Sequence, residues 1–201
     1  MADRLERYRR KRDPDTTPEP GVRGDAPKRR PRRGAPRFVI QKHDASSLHY
    51  DFRLEVDGTL RSWAVPKGPS TDPRVKRLAV QVEDHDLDYA DFEGRIGEGY
   101  GSGAVIVWDA GTYRNLDEER SMAEALDAGH AKVWLEGEKL QGGWTLQRTD
   151  RGRKPQWLLI KRRDEGADAR RNPESTQPES VKSGRTIEQV ASQEADEGDD
   201  A

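Results

Sequence analysis

Through the middle of the chain, apolar and polar residues alternate in short runs, and turn-forming residues separate one run from the next. The runs are RFVIQKH from Arg37, HYDFRLEVD from His49, TLRSWAVP from Thr59, RLAVQVEDH from Arg77, GAVIVWD from Gly103, AKVWLEG from Ala131, GWTLQR from Gly143 and QWLLIKR from Gln156. A period of two puts successive side chains on opposite faces of a strand, so the pattern predicts eight strands. Asp57-Gly58 predicts a two-residue hairpin between the second and third, and Gly142-Gly143 and Arg151-Gly152 punctuate the later pairs. A helix is predicted from about Ser121 to Ala128, where Ser121 and Glu124 form a capping box. Eight strands with one short helix predict an all-β fold, a small antiparallel barrel. Closure removes the sheet edges that so polar a chain could hardly cover.

The flanks carry a different pattern. Residues 1–36 are basic and rich in Pro, Arg and Gly, with a short helix possible around Leu5 and Tyr8, and read as an arm. Residues 37–164 hold the strands, and residues 165–201 read as an acidic, disordered tail. A net charge of −2 hides this segregation: residues 1–37 hold 13 Lys and Arg against 6 Asp and Glu, and residues 164–201 hold 4 against 11. A basic arm can hold phosphates while an acidic tail stays in solvent, so the balanced total does not exclude a nucleic-acid partner. Cysteine is absent, which excludes disulfides and thiolate metal sites. With no apolar run long enough to span a bilayer, the expectation is a soluble, cytoplasmic protein, taken as a monomer.

The candidate chemistry lies on the polar faces. In HYDFRLEVD, Tyr50, Phe52, Leu54 and Val56 take one face and His49, Asp51, Arg53 and Glu55 the other, spaced roughly 7 Å apart along it. His43 shares the polar phase of the preceding run, where Phe38 and Ile40 alternate with Gln41. In RLAVQVEDH, Leu78, Val80 and Val82 are expected to face the core, with Gln81, Glu83 and His85 opposite. A lone strand histidine is most often a solvated side chain. Three of the four histidines on polar faces, with Asp51 and Arg53 interposed, make that reading poor. Two imidazoles and a carboxylate suit Mn²⁺, Fe²⁺ or Zn²⁺, and Arg53, Lys67, Lys76 and Arg77 could clamp a phosphate. Metal ligands beside phosphate clamps point to metal-assisted phosphoryl chemistry.

Other features read more plainly. His130 is taken as structural, and the five tryptophans as core. GEGYGSG from Gly97 lacks the Lys-Ser/Thr of a P-loop and precedes a strand, so it reads as a flexible turn whose Tyr100 borders the site. Two other functions compete. One is an oxygenase using His49, Asp51 and His85 as a 2-His-1-carboxylate triad; the other is a DNA-end-binding module without catalysis.

FVIQKHDASSLHYDFRLEVDGTLRSWAVPKGPS, with VQVEDHDLDYADFEG and GYGSGAVIVWDAGTY, strongly resembles the 3′-phosphoesterase domain of bacterial DNA ligase D, from about Leu5 to Asp164. The resemblance implies a β-barrel with its active site in a groove on the outer surface. It also implies a Mn²⁺-dependent enzyme of DNA primer-template ends, which removes a 3′-terminal ribonucleoside and then the remaining 3′-phosphate. Carried over by motif, His43, His49 and Asp51 hold the metal, and Arg53 and His85 grip the scissile phosphate. Lys67 and Arg77 are further catalytic cations, with Gln41 and Tyr89 supporting them. Arg12, Asp13 and Glu19 of the arm fold back over the site, although Pro14 stands where the family usually has an aromatic. Glu55 occupies the place of a nucleotidyltransferase's lysine, and no ligase or polymerase domain fits in the remaining residues. A standalone phosphoesterase cooperating with a separate ligase or end-joining factors is therefore expected.

Overall fold

The computed structural model describes residues 3–24, 34–149 and 153–196, with side chains through residue 192. Nine strands alternate with short helices: α1 (Glu6–Arg10), β1 (Arg37–Asp44), β2 (Leu48–Val56), β3 (Thr59–Val65), β4 (Lys76–His85), a 3₁₀ turn (Leu87–Asp91), β5 (Gly94–Ile96), β6 (Gly103–Asn115), α2 (Met122–Asp127), β7 (His130–Gly137), β8 (Gln141–Thr149), β9 (Gln156–Lys161), α3 (Pro173–Thr176) and α4 (Ile187–Asp196). Each strand pairs antiparallel with its neighbours in the order β1-β2-β3-β4-β9-β8-β7-β6, and β6 returns to β1. Eight strands thus close the barrel, and β5 adds outside it on β6.

The local signals act as expected at several points. Asp57 and Gly58 both adopt positive φ, at 50° and 83°, which matches a tight hairpin to the twist of β2 and β3. Ser121 and Glu124 form the capping box that starts α2. The Arg151-Gly152 turn lies outside the described residues. Inside the barrel, Phe38 and Ile40 meet Tyr50, Phe52 and Leu54, and Trp63, Trp108, Trp144 and Trp157 fill the remaining space. Burying such side chains contributes roughly 2–3 kcal/mol each. Trp134 is the exception among the five tryptophans. Ala131, Val133 and Leu135 take the inward phase of β7, so Trp134 lies half-buried outside, where Arg114 covers its ring.

Strand β4 corrects the expected phase. Ala79 is in the core and Gln81 accepts from the core Trp157 indole, whereas Leu78 is exposed. Leu78, Val80 and Val82 therefore face outward. Ser62 pairs with Val82 and Leu60 with His85, so β4 advances three residues while β3 advances two. This bulge shifts the phase and returns His85 to the outer face. Simple alternation along β4 would turn His85 inward, and only the bulge brings it out.

The described part of the segment after Asp164, expected to be disordered, instead lies on the barrel. Trp108 Nε1 donates to the Gln177 carbonyl at 2.9 Å, the Val181 amide donates to the Val107 carbonyl at 2.9 Å, and Ile187 and Val190 of α4 pack on Ala104 and Ile106. The cause is in β6: GAVIVWD is apolar at consecutive positions, which calls for cover on both faces. The tail's few apolar residues supply it, although its mean composition conceals them. Ile187→Ala should lower stability by about 2 kcal/mol in urea unfolding, as a core truncation does. An unchanged midpoint would mean that α4 contributes nothing to the fold.

Candidate metal and phosphate site

Strand register assembles the site on the outer face of the barrel. His43 of β1 stands opposite His49 of β2, and Gln41 opposite Asp51. Arg53, two residues beyond Asp51, is flanked by Val39 and Ser62, and the row continues through Ser62 to Val82 of β4. His85 lies next to that row, opposite Leu60. Of these, His43, His49, Asp51, Arg53, Val82 and His85 line a pocket of about 540 Å³.

Its first half is a donor set. One ligand atom from each of His43, His49 and Asp51 lies within 4.8 Å of the other two. His43 Nε2 is 2.6 Å from the Gly101 carbonyl and His49 Nδ1 is 3.0 Å from the Ser47 carbonyl. A carbonyl only accepts, so each of these nitrogens carries the proton. The opposite nitrogens then turn lone pairs toward Asp51: His43 Nδ1 at 3.6 Å from Oδ2 and His49 Nε2 at 3.5 Å from Oδ1. Lone pairs facing a carboxylate repel unless a cation stands between them, and without a metal a second ring proton fills that place. A divalent metal is such a cation, and the outer carbonyls already fix the tautomers it needs. Burial alone would raise the Asp51 carboxyl, but Arg53 and both imidazoles outweigh it and hold the group well below the usual carboxylate range. Burial likewise opposes a proton on His49, yet Asp51 overcomes it and raises that imidazole. Gly101 adopts φ of 76°, a left-handed conformation that lets its carbonyl meet His43.

The second half is cationic and rigid. Arg53 donates from Nε to Gln41 Oε1 at 2.7 Å, and its Nη2 is 3.2 Å from Asp51 Oδ2. Gln41 is held in turn, donating to the carbonyls of Tyr89 and Phe92. The Tyr89 ring lies 4.8 Å beneath the guanidinium. Arg53 Nη1 is buried with no hydrogen-bond partner. A buried N–H left unpaired on a charged group is costly, and a phosphate oxygen would satisfy it.

His85 completes this half. Its Nε2 is 3.4 Å from Arg12 Nη2, which can only donate, so Nε2 accepts and Nδ1–H donates to the Glu83 carbonyl at 2.9 Å. Burial, then Arg53 and Arg12, push the imidazole well below its ordinary value, so it is neutral near pH 7. The rings of Tyr8 and Tyr89 pack against it at 4.8 and 4.7 Å.

The arm supplies part of the wall. Tyr8 and Val22 join Val39, Leu60, Leu87 and Tyr89 in a small apolar cluster outside the barrel, and the Tyr8 hydroxyl donates to the Pro20 carbonyl at 2.6 Å. Arg12 is thereby pinned between Glu19 at 2.9 Å and Glu83 at 3.2 Å. With neutral imidazoles the lining carries two guanidiniums and three carboxylates, one net negative charge. A divalent cation would reverse that sign, as an anionic substrate requires.

Several sequence-predicted residues are not brought in. Asp13 is exposed and caps a turn, accepting from the Asp15 amide. Lys67 and Lys76 are exposed and outside the lining. Arg77 shares the inward phase of β4 and faces Glu174 rather than the pocket. His130, read from the sequence as structural, begins β7 opposite Gln147 and is also outside the lining. The oxygenase triad does not assemble as expected, because the third ligand beside His49 and Asp51 is His43, while His85 is enclosed by Tyr8, Arg12 and Tyr89. Two contributors were missed. Tyr8 sits on the short helix expected around it, but its ring meets His85 only in the folded chain, and Glu83 holds Arg12 only because the β4 bulge turns it outward.

Comparison with known proteins gives this geometry a family. The sequence model of the DNA Ligase D 3′-phosphoesterase domain matches residues 41–148, which include every residue of the donor set and Arg53, His85 and Tyr89. The chain is 56% identical over 187 residues, 91% of its length, to the multifunctional non-homologous end joining protein LigD of Pseudomonas aeruginosa. It is 48% identical over 160 residues, 79% of its length, to the LigD end-joining DNA repair protein of Mycobacterium tuberculosis, and 40% over 205 residues, 98% of its length, to LigD of Mycolicibacterium smegmatis. It spans only 20–25% of the length of these relatives. The barrel that carries this outer-face pocket therefore belongs to the DNA ligase D 3′-phosphoesterase family.

Proposed function

We propose that the chain processes DNA 3′ ends with Mn²⁺ at His43, His49 and Asp51, releasing a terminal ribonucleoside and then hydrolysing the 3′-phosphate left behind to a 3′-hydroxyl. The observation that carries this reading is Arg53, whose buried Nη1 lacks a partner immediately beside a carboxylate shared with two imidazoles. The metal, when bound, polarises a non-bridging phosphate oxygen and offsets charge that builds up at phosphorus. Arg53, fixed by Gln41 and Tyr89, holds a second oxygen in a preset direction, so little reorganisation accompanies the reaction. In the first step water adds to phosphorus, the bond to the nucleoside O5′ breaks, and that oxygen takes up a proton.

His85 is suited to manage that proton. Two guanidiniums help to keep it neutral, and an incoming phosphate anion opposes their effect. The bound substrate thus raises the proton affinity of Nε2 where it is needed. DNA primer-template ends are the substrate, and a ligase or other end-joining factor is the downstream user of the healed 3′-hydroxyl.

His43→Ala, Asp51→Ala and His85→Ala should each reduce release of ribonucleoside and phosphate by more than 100-fold in a Mn²⁺-supported primer-template assay, with the barrel's circular dichroism intact. Near wild-type turnover by any of them would remove that residue from the site. DNA binding that survives without product in the wild type would favour an end-binding module instead. The neutral His85 also predicts a pH effect. Its folded pKa is depressed, so below about pH 6.5 the unfolded chain binds a proton that the native state refuses. Stability contributed by this group is present above pH 6.5 and falls, by up to about 1.4 kcal/mol per pH unit, as pH drops toward the folded value. The stability difference between wild type and His85→Asn, measured by urea unfolding from pH 7.5 to 5, should carry this slope. A pH-independent difference would show that His85 titrates normally.

A further inference from the structure

We propose that Tyr100 is the platform on which the base of a 3′-terminal ribonucleotide rests during its removal, an inference that rests on the functional reading above. Among the described residues only Leu48, Leu78 and Tyr100 are large hydrophobics with substantial exposure, and Tyr100 at 51% is the most exposed. A tyrosine with a packing role would bury its ring, as Tyr8, Tyr89 and Tyr113 do.

The position of this ring points to a ligand. Tyr100 lines the donor-set pocket and also a second one of about 420 Å³, where the cations Arg4, Arg7, Lys11, Arg61 and Lys154 outnumber the carboxylates Glu83, Asp84 and Asp127. It is thus shared between the candidate centre and a groove of net positive charge, the sign a phosphate backbone favours. Its neighbour Gly101 is the residue whose carbonyl holds His43, so the ring is tethered one residue from a contact to the donor set. Lys11 Nζ lies 4.5 Å from the ring centroid and 3.3 Å from its hydroxyl, and the Arg12 guanidinium is 5.6 Å from the centroid. An exposed aromatic face beside cations is the recurring surface on which single nucleobases stack, with no dependence on base identity.

The chemistry gives this platform a selective role. With phosphorus held at Arg53 and the donor set, the proposal rests the base of the departing nucleoside on Tyr100, an exposed residue of the pocket lining. A 3′-phosphate end has no base on that side. Tyr100 should thus matter to ribonucleoside release and much less to phosphate release, which separates two reactions that share one centre. Its tolerance for any π-face predicts similar behaviour with all four terminal bases.

The test compares kcat/KM of the full chain, wild type and Tyr100→Ala, on primer-templates that end in a ribonucleotide, an abasic ribose or a 3′-phosphate. The proposal predicts that Tyr100→Ala lowers the ratio of ribonucleotide to phosphate activity by roughly ten-fold, the scale of one lost base stack. Wild type should favour the ribonucleotide over the abasic end by a similar factor, Tyr100→Ala should lose that preference, and Tyr100→Trp should restore it. Equal losses on all three ends would overturn the proposal and assign Tyr100 to support of His43, a role that weakened Mn²⁺ affinity would also report. An unchanged ratio would overturn it as well. Wild-type inactivity on every end would overturn the functional reading itself, and this proposal with it.

Discussion

Asp51 is a buried carboxylate placed within reach of a guanidinium and two imidazoles, and the organisation of the outer face follows from keeping that charge where it is. Burying an isolated carboxylate would cost several kcal/mol, so it must be paired and its partners held. Each partner is held in turn. Gly101 and Ser47 fix the imidazoles, Gln41 fixes Arg53, and the 3₁₀ turn fixes Gln41 through the carbonyls of Tyr89 and Phe92. Main-chain groups at loops beside the strands thereby set the direction of each side chain.

The same constraint explains why the outer face is covered. Charges left in open solvent would be screened and would lose their effect on a bound phosphate. Tyr8 and Val22 of the arm and Leu87 and Tyr89 of the turn build a small apolar cluster on the barrel exterior. That cluster brings Arg12 to His85 and keeps the imidazole neutral. The pocket therefore divides into a donor half on β1 and β2 that could hold a metal and a cationic half reaching β4 and the arm, with Asp51 and Arg53 as the join.

Much of this can be read along the chain where the local pattern is regular. Strand β2 alternates cleanly, so His49, Asp51 and Arg53 share a face in the sequence as they do in the structure. The hairpin at Asp57-Gly58 and the cap of α2 are equally local. What escaped depends on contacts distant in sequence. The bulge in β4 reverses the faces of Leu78 and Val82, turns Arg77 away toward Glu174 and exposes Glu83 to the arm. The order after Asp164 rests on Val181, Ile187 and Val190, too few to show in an acidic composition but matched to the doubly apolar β6. The family resemblance implies one site for His43, Arg53 and His85, and all three line one pocket.

The claim at the centre of this account is that metal and phosphate share one pocket across Asp51 and Arg53. Anomalous diffraction at the manganese edge, from crystals of the full chain soaked with Mn²⁺ and inorganic phosphate, tests it most directly. The account predicts one peak bound by His43 Nδ1, His49 Nε2 and Asp51, with a phosphate bridging that ion to Arg53 Nη1 and His85 Nε2. Manganese bound elsewhere, or phosphate seated away from Arg53 while the donor set holds the metal, would contradict it.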